Sequence, residues 1–359
     1  MGGHANRLTI ATTALEGGTG PDILMLADFE PTLFAKGLLD LSDIAEKIGA
    51  QGGGWYPIAK EIGVVDGKWV GLPIYIYMHE MFYRKDVLDS VGAKVPQTWD
   101  EFRATLKKIK DSGAKIQPFG VAYGRSFDGA QFLYSVILSN GAQVLSDDGK
   151  RIVFNSPETV KSLKYVVDLY RDGLVDPTVP GWDDSTNNQA MLSGRIAFTF
   201  NGFSIKMAAE QDFPDLNPKL GVAVYPGGPN GRYAFPFTLS YVIRKDTKNP
   251  DLAKKLVAYL YEPKNYAYVL EKTLGATGLS LKGLATLPVW TQKPDWKANL
   301  DAVATAKLFA PPSAATAEAH NGYVIVDMIA DVLVKAMTPE QAVERASKRL
   351  EEIYFKKTK

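Results

Sequence analysis

Aromatic side chains recur with a period of two in one segment of the chain, residues 69–86. Tyr75, Tyr77 and His79 have the spacing of side chains on one face of a β-strand, and Glu80 falls on the opposite face. An aromatic ring can stack on the C–H face of a pyranose, while polar neighbours bind its hydroxyl groups. The pattern therefore predicts a wall of a ligand-binding cleft at Tyr75, Tyr77 and His79. For Tyr77, packing in the core or at a hinge is the alternative.

Motifs for catalysis and for metal binding are scarce in the sequence. The three histidines, at positions 4, 79 and 320, lack the i, i+4 spacing of a helical zinc pair, and there is no cysteine. No Gly-x-Ser-x-Gly elbow, phosphate-binding loop or dinucleotide fingerprint occurs. Glu80 and Asp128 could act as the carboxylate pair of a glycosidase, but no local motif supports that role. We therefore expect a binding protein rather than an enzyme, with no cofactor and no metal.

The composition limits the partners that the chain can have. Its 359 residues are 46% hydrophobic, which is enough for a substantial core, and this length favours two lobes. The 41 basic and 40 acidic side chains are mixed along the chain and give a formal net charge of +1. Binding to nucleic acid is therefore not expected. No apolar run reaches the roughly 18 residues that a transmembrane helix needs. A small neutral ligand fits this composition.

Strands and helices alternate along the chain and must position these side chains. Residues 22–26 have the pattern of a short apolar strand. Residues 98–110 have that of an amphipathic helix, which begins with a capping box formed by Thr98 and Glu101. Further helices are predicted to begin at Ser156-Pro157, Asn249-Pro250 and Thr338-Pro339. This alternation is typical of α/β lobes.

Several short motifs follow one another in a characteristic order. They are Pro-Asp-Ile at 21–23, Tyr-Arg-Lys-Asp at 83–86, Thr-Trp-Asp-Glu-Phe at 98–102 and Ser-Gly-Arg-Ile-Ala at 193–197. In this order they resemble the extracellular solute-binding proteins of family 1, the sugar-type substrate-binding proteins of ABC importers, a family that includes maltose-binding protein. Members normally have a strand and a helix before the first of these motifs, so a shortened N-terminus is expected here.

The resemblance implies an α/β fold of the two-lobe periplasmic-binding-protein type, type II-like, with a hinge and an interlobe cleft. The expected lobes are 1–122 plus 272–312 and 123–271 plus 313–359. The resemblance also implies a small-molecule ligand, a sugar or a polyol, that is captured in the cleft and delivered to the membrane permease subunits of an ABC importer. A periplasmic monomer is expected.

The resemblance places further ligand contacts at strand ends and in loops. They are Asp28, Phe29 and Glu30; Ser126, Phe127, Asp128 and Gln131; Asn201, Gly202 and Phe203; Phe237 and Thr238; Gly278 in the loop 275–278; and Asn321 and Tyr323. Phe203 stands where many relatives carry a tryptophan that stacks on sugar. Alternatives stay open for Asp128 as a helix cap, for 235–238 as strand packing, for Gly278 as a turn residue and for 320–323 as part of the hinge.

Four functions remain open at this point. The first is capture of a carbohydrate or polyol for import. The second, in the same fold, is binding of a glycerol-phosphate-type organophosphate, for which Arg125 would have to point into the cleft as a forked donor to phosphate. An outward-facing Arg125 would favour a neutral sugar. A glycan-processing enzyme and a binding protein that serves only a chemoreceptor are the remaining alternatives.

Overall fold

The computed structural model describes residues 4–273, 278–292 and 294–355. The strands are β1 (Ile23–Ala27), β2 (Val64–Val65), β3 (Lys68–Trp69), β4 (Leu72–Tyr77), β5 (Glu80–Arg84), β6 (Gln117–Phe119), β7 (Ile196–Asn201), β8 (Leu220–Ala223) and β9 (Phe237–Ile243). The α-helices are α1 (His4–Glu16), α2 (Glu30–Phe34), α3 (Ser42–Gln51), α4 (Pro57–Gly63), α5 (Lys85–Ser90), α6 (Trp99–Asp111), α7 (Phe127–Asn140), α8 (Pro157–Arg171), α9 (Thr186–Leu192), α10 (Ser204–Asp212), α11 (Pro250–Leu260), α12 (Pro263–Lys272), α13 (Pro288–Thr291), α14 (Pro294–Val303), α15 (Ala314–Asn321), α16 (Asp327–Leu333) and α17 (Pro339–Phe355). None of these helices is long and apolar enough to cross a membrane.

The chain folds as two units. Unit 1 contains Met1–Tyr77, Pro236–Val303 and Pro311–Ala317, and unit 2 contains Met78–Phe235, Ala304–Ala310 and Glu318–Lys359. These bounds differ from the two lobes expected from the sequence. The difference arises because β5 pairs with β7 and β8 and so belongs to unit 2, whereas β9 pairs with β1 and β4 and so belongs to unit 1. Pairing between distant strands decides both assignments, and local sequence patterns do not contain it.

Unit 1 is organised around a three-stranded antiparallel sheet in the order β1-β9-β4. The register places Leu24 opposite Val242 and Tyr77 opposite Phe237, and a bulge lies between Pro73 and Tyr75. Helix α1 packs on β1 through Ala11 and Ala14. A larger core joins residues of α3, α11 and α12 to the other side of the sheet, with Trp290 fully buried in it. The sheet thus brings early and late parts of the chain together.

The outer edge of β4 is closed by tyrosine hydroxyl groups. Tyr261 donates a hydrogen bond to the carbonyl oxygen of Leu72 at 2.7 Å, and Tyr266 donates to the carbonyl oxygen of Ile74. Ser280 also reaches Ile74, at 3.3 Å. Carbonyl groups on an exposed strand edge are available for pairing with another chain, so these side chains protect the edge of the sheet.

Residues 69–86 do not form the single strand that their pattern predicts. The segment is divided into β3, β4 and β5, and the last two belong to different sheets. Met78 and His79 lie between β4 and β5, because the pairing of β4 ends at Tyr77 and that of β5 begins with Glu80 opposite Asn201. The prediction that His79 shares a strand face with Tyr75 and Tyr77 is therefore wrong. The period-two spacing of the side chains continues from Tyr77 to His79, although strand pairing stops at Tyr77.

Unit 2 contains a four-stranded sheet in the order β6-β7-β5-β8, in which only β6 and β7 are parallel. Helix α6 packs against it with Phe102, Leu106 and Ile109 fully buried, as the helical spacing predicts. The ring of Phe102 lies 5.2 Å from that of Phe119 and 5.3 Å from that of Phe200, measured between centroids. Edge-to-face and tilted packing of this kind is favourable for aromatic pairs, so these rings anchor α6 on the sheet.

The predicted helix starts at positions 98, 156 and 338 are confirmed. Thr98 accepts a hydrogen bond from the Glu101 amide at 3.2 Å, and Glu101 in turn accepts one from the Gln97 amide at 2.7 Å. Ser156 accepts from the Thr159 amide, and Pro157 is the first residue of α8. The C-terminal helix α17 begins in the same way, with Thr338 accepting from the Gln341 amide. Local sequence determines these boundaries because caps satisfy amide groups within one turn.

Glu80 is a carboxyl group buried without a salt bridge. Its side chain is fully enclosed at the start of β5, and neither of its oxygens accepts a hydrogen bond from another residue that the structure describes. Burial raises the pKa of the Glu80 carboxyl well above its usual range. Burial thus favours the neutral form of Glu80, and its complete enclosure leaves no oxygen exposed to a substrate, which argues against a role as a glycosidase carboxylate.

The cap of α6 can be tested by substitution. We expect Thr98→Ala to lower the free energy of unfolding by about 1 kcal/mol, because the Glu101 amide loses its partner. Urea denaturation followed by tryptophan fluorescence measures the change. Thr98→Ser keeps the hydroxyl group and should restore most of the loss. Equal destabilisation by both substitutions would contradict a capping role.

The buried carboxyl group predicts a pH dependence of stability. Because burial raises the pKa of Glu80 in the folded chain, this residue lowers stability progressively as the pH rises above about 4.5, where the unfolded chain ionises it. We expect Glu80→Gln to raise the free energy of unfolding at pH 8 by roughly 1–3 kcal/mol and to change it little at pH 4. Glu46→Gln, on an exposed position of α3, is the matched control. A gain that is the same at both pH values would show that ionisation is not the cause.

Candidate functional site

Three aromatic rings meet at one end of the sheet of unit 1. Tyr77 and Phe237 lie directly opposite each other on β4 and β9, and Tyr75, two residues before Tyr77 on the regular part of β4, lies on the same face. The ring centroids are 6.3 Å apart for Tyr77 and Phe237, 6.4 Å for Tyr75 and Phe237 and 6.5 Å for the two tyrosines. All three side chains are half-buried. We call Tyr75, Tyr77 and Phe237 the ring cluster; it unites three of the predicted contacts.

Acidic residues follow β1 on the same sheet. Asp28 has a φ of 43°, a left-handed conformation that aspartate adopts more readily than most residues. Its amide donates to the carbonyl oxygen of Thr238 at 3.1 Å, and its carboxylate accepts from the Thr238 amide at 2.9 Å. Glu30 accepts from the amide of Ala27 at 2.7 Å, and Phe29 is buried. The predicted contacts Asp28 and Glu30 thus hold the main chain after β1, next to the strand that carries Phe237.

Gly278 packs against β4 in a conformation that requires glycine. Its φ is +67°, and a Cβ atom at this position would lie 2.1 Å from the carbonyl oxygen of Ile76. Any side chain would therefore collide with the strand between Tyr75 and Tyr77. The other residues of the predicted loop, 275–277, lie outside the described residues.

A buried polar cluster in unit 2 surrounds Asp128. One carboxylate oxygen accepts hydrogen bonds from the side-chain amides of Asn187 and Asn201, both at 2.8 Å. The other lies 3.5 Å from Nε2 of His79. We call these four residues the Asp128 cluster. The structure therefore brings together three predicted contacts, His79, Asp128 and Asn201, and adds Asn187, which the sequence patterns did not indicate.

Burial changes the protonation of this cluster. It lowers the pKa of His79 to about 3, so the imidazole is neutral at physiological pH. It also raises the pKa of the Asp128 carboxyl well above its usual range, and the nearby charge of Asp184 adds to the shift. Burial therefore disfavours the charged form of both groups, and the cluster consists mainly of hydrogen-bond donors and acceptors.

Two residues of unit 2, Ser126 and Asp184, accept hydrogen bonds from the amides at the N-terminus of α7. Ser126 accepts a hydrogen bond from the Gly129 amide at 2.9 Å, so the N-cap is Ser126 and the alternative of Asp128 as cap is wrong. The amide of Asp128 donates to the carboxyl group of Asp184 at 3.0 Å. Acidic groups at a helix N-terminus are favourable because of the helix dipole. The phenyl ring of Phe127 packs edge-on against His79, with ring centroids 5.8 Å apart.

Several predicted contacts of unit 2 are core residues in this structure. Phe203 is fully buried and packs on Phe82, with ring centroids 5.9 Å apart. Gln131 is fully buried in α7. The amide of Gly202 donates to the Asn201 side chain at 2.6 Å, which fixes the turn after β7. Because Phe203 follows the end of β7, the sequence predicts that it contacts the ligand from a loop. In the structure the turn after β7 instead places Phe203 against the sheet.

The last predicted contacts lie at the end of α15 and in the segment that leads to α16. Asn321 ends α15, and Tyr323 is half-buried with a φ of 55°. Nearby, the guanidinium of Arg125 donates to both carboxylate oxygens of Asp327, from Nε at 2.8 Å and from a terminal nitrogen at 2.7 Å. Arg125 thus forms a bidentate ion pair within unit 2.

Sequence reasoning missed the polar residues of the segment 183–188. Asp183 binds the Ser185 and Thr186 amides and hydroxyls, and this turn leads into α9, which presents Asn187 to Asp128. The run of polar residues is visible in the sequence, but its pattern indicates only the start of a helix. Only its packing against α7 reveals its role. No group of three or more His, Cys, Asp or Glu side chains in the described chain could hold a metal ion.

Comparison with known proteins places these observations in a family. The model of the bacterial extracellular solute-binding proteins matches residues 6–267. A binding protein of Brucella abortus (strain 2308) is 29% identical over 201 residues, which are 55% of this chain and 48% of that protein. The chain thus spans about half the length of this relative. The galactooligosaccharide-binding protein of Bacillus subtilis (strain 168) is 25% identical over 342 residues, or 92% of this chain and 76% of that protein.

A solved structure extends the comparison to the fold. Maltose-bound MalE3 of T. maritima matches with a TM-score of 0.84 and 26% identity, covering 96% of this chain and 88% of that one. The similarity confirms the α/β periplasmic-binding-protein fold class that the sequence predicts. The matched family consists of binding proteins and not of enzymes. Because the family model covers most of its length, the chain belongs to the bacterial extracellular solute-binding proteins.

Proposed function

We propose that the protein is the substrate-binding component of an ABC importer and that it captures a carbohydrate or a polyol. The observation that carries the proposal is the ring cluster of unit 1. Three half-buried aromatic rings at one end of a sheet offer flat apolar surfaces, and main-chain and carboxyl groups lie on the neighbouring strand. A sugar has this combination of properties, since its C–H groups need an apolar face and its hydroxyl groups need fixed polar partners.

The charge state of unit 2 supports a neutral ligand. His79 is uncharged, and burial also disfavours ionisation of Asp128. Such a cluster can exchange hydrogen bonds with hydroxyl groups without a net charge on the ligand. We propose that residues of this unit, including the half-buried Tyr323, also contact the sugar.

Two features of unit 2 argue against an organophosphate ligand. Arg125 already uses one side of its guanidinium fork in the bidentate pair with Asp327, and so it is not free to clasp a phosphate from that side. The N-terminus of α7, a natural position for a bound anion, is occupied by the carboxyl group of Asp184. We therefore favour the carbohydrate or polyol over a glycerol-phosphate-type ligand.

Membership of the family supports a proposal for the partners and the location. We propose that the protein works outside the cytoplasmic membrane, in the periplasm, as a monomer that delivers its ligand to the permease subunits. This proposal is supported by relatives such as an Escherichia coli (strain K12) protein described as a periplasmic-binding protein of an ABC transporter. Abolition of sugar uptake on deletion of the gene would distinguish import from a purely chemosensory role.

Substitution of the ring cluster tests the proposal directly. We expect Tyr77→Ala and Phe237→Ala each to lower sugar affinity at least tenfold, because each removes a stacking surface. Isothermal titration with maltose, galactooligosaccharides and ribitol measures the affinity. Tyr268→Ala, a tyrosine of the same unit with 61% exposure, is the matched control and should bind as wild type does. Unchanged affinity in both cluster variants would refute the placement of the ligand.

The ligand class can be tested by thermal unfolding. A ligand present at 100 times its Kd stabilises a protein by about 2.7 kcal/mol, which is readily detected as a rise in Tm. We expect such a rise with a sugar or polyol and none with glycerol 3-phosphate. Arg125→Gln should leave the sugar-induced rise unchanged. A rise with glycerol 3-phosphate that disappears in Arg125→Gln would favour the organophosphate.

A further inference from the structure

One buried carboxamide in unit 1 has all of its hydrogen-bonding capacity unused. Asn299 lies in α14 and is fully buried. Within the described chain, neither its side-chain oxygen nor its side-chain nitrogen has a hydrogen-bond partner. A carboxamide has two donor hydrogens and an acceptor oxygen with two lone pairs. Leaving these groups unpaired in a protein interior is unfavourable, and native structures rarely do so.

The position of this carboxamide is close to the ring cluster. A Cβ atom at Gly278 would lie 3.4 Å from the side-chain oxygen of Asn299 and 2.1 Å from the carbonyl oxygen of Ile76. The Asn299 amide therefore lies beside Gly278, which itself touches β4 between Tyr75 and Tyr77. Asn299, Gly278 and the two tyrosines all belong to unit 1.

Asn299 differs from the polar side chains that hydrogen-bond to the outer edge of β4. The carbonyl oxygens of Leu72 and Ile74 accept hydrogen bonds from Tyr261 and Tyr266. The polar side chains farther along this edge thus form hydrogen bonds with the strand. Asn299 lies at the end of the edge nearest the ring cluster, and its side chain forms no hydrogen bond within the described chain. An apolar side chain of similar volume would fill the same space without the cost of an unpaired amide.

We propose that the carboxamide of Asn299 binds a hydroxyl group of the sugar and so helps to determine which sugar is accepted. A hydroxyl group donates one hydrogen bond and accepts others. A carboxamide can accept the first with its oxygen and donate the second from its nitrogen. The ring cluster would contact the C–H face of the sugar, and Asn299 would form a hydrogen bond with a hydroxyl group at the edge of β4. Since the amide is fully covered, binding requires the main chain at Gly278 to move away from it. The inference rests on the proposed sugar-binding function.

The test compares affinity and stability in one variant. We expect Asn299→Leu to lower the affinity for the sugar that wild type binds, among maltose, galactooligosaccharides and ribitol, at least tenfold. Without sugar, its Tm should equal or exceed that of wild type, because an unpaired amide has been removed. Asn265→Leu is the control: Asn265 lies in α12 of the same unit, and its amide already donates to the Tyr259 carbonyl oxygen at 2.7 Å. We expect it to keep wild-type affinity.

The outcomes separate this inference from the proposed function. If wild type binds none of the three probes, the sugar-binding function and the inference fail together. If wild type binds and Asn299→Leu binds equally well, only the inference is overturned. A lower Tm with unchanged affinity would likewise overturn it and assign the amide to an internal water. Should Asn299→Leu not fold, NMR gives a second measurement. The side-chain amide signal that is absent from Asn299→Asp should shift when sugar is added to wild type, and an unchanged signal would refute the inference.

Discussion

The pairing of β9 with both β1 and β4 is the interaction on which unit 1 depends. Without this strand, β1 and β4 have no common partner, and the residues that follow them would not be held together. The pairing sets Phe237 opposite Tyr77 and binds Thr238 to Asp28 through two hydrogen bonds. The tyrosines of α11 and α12 then close the outer edge of β4. The position of the ring cluster and of Asp28 is thus a consequence of strand order, since each of these residues lies on, or directly after, one of these three strands.

Unit 2 meets a different physical requirement, because it buries polar groups. Asp128, His79 and Glu80 are almost completely enclosed, and charged forms are costly in such surroundings. Hydrogen bonds from Asn187 and Asn201 offset part of the cost for Asp128. For His79 and Glu80 the burial instead favours the neutral form. The uncharged ligand that we propose is compatible with such a unit.

The proposal of a sugar over a phosphate ester rests on pairs that the protein makes with itself. Asp184 occupies the N-terminus of α7, and Asp327 engages Arg125. Each pair satisfies a group that would otherwise attract an anion. Arg125 alone is therefore a poor guide to the ligand, because its partner Asp327 lies far away in the sequence. Two groups that could attract an anionic ligand are thus already paired within unit 2.

The sequence by itself determined the local features: the capped starts of α6, α8 and α17, the buried stripe of α6, and the order of motifs that identifies the family. These depend on interactions within one or two helical turns, which residue types and spacing encode. Tertiary structure alone decided that residues 69–86 divide between two sheets, that Phe203 packs in the core, and that Tyr75, Tyr77 and Phe237 meet. The reason is that strand pairing and burial join segments far apart in the chain, and the period-two pattern of a strand is the same whichever sheet the strand enters.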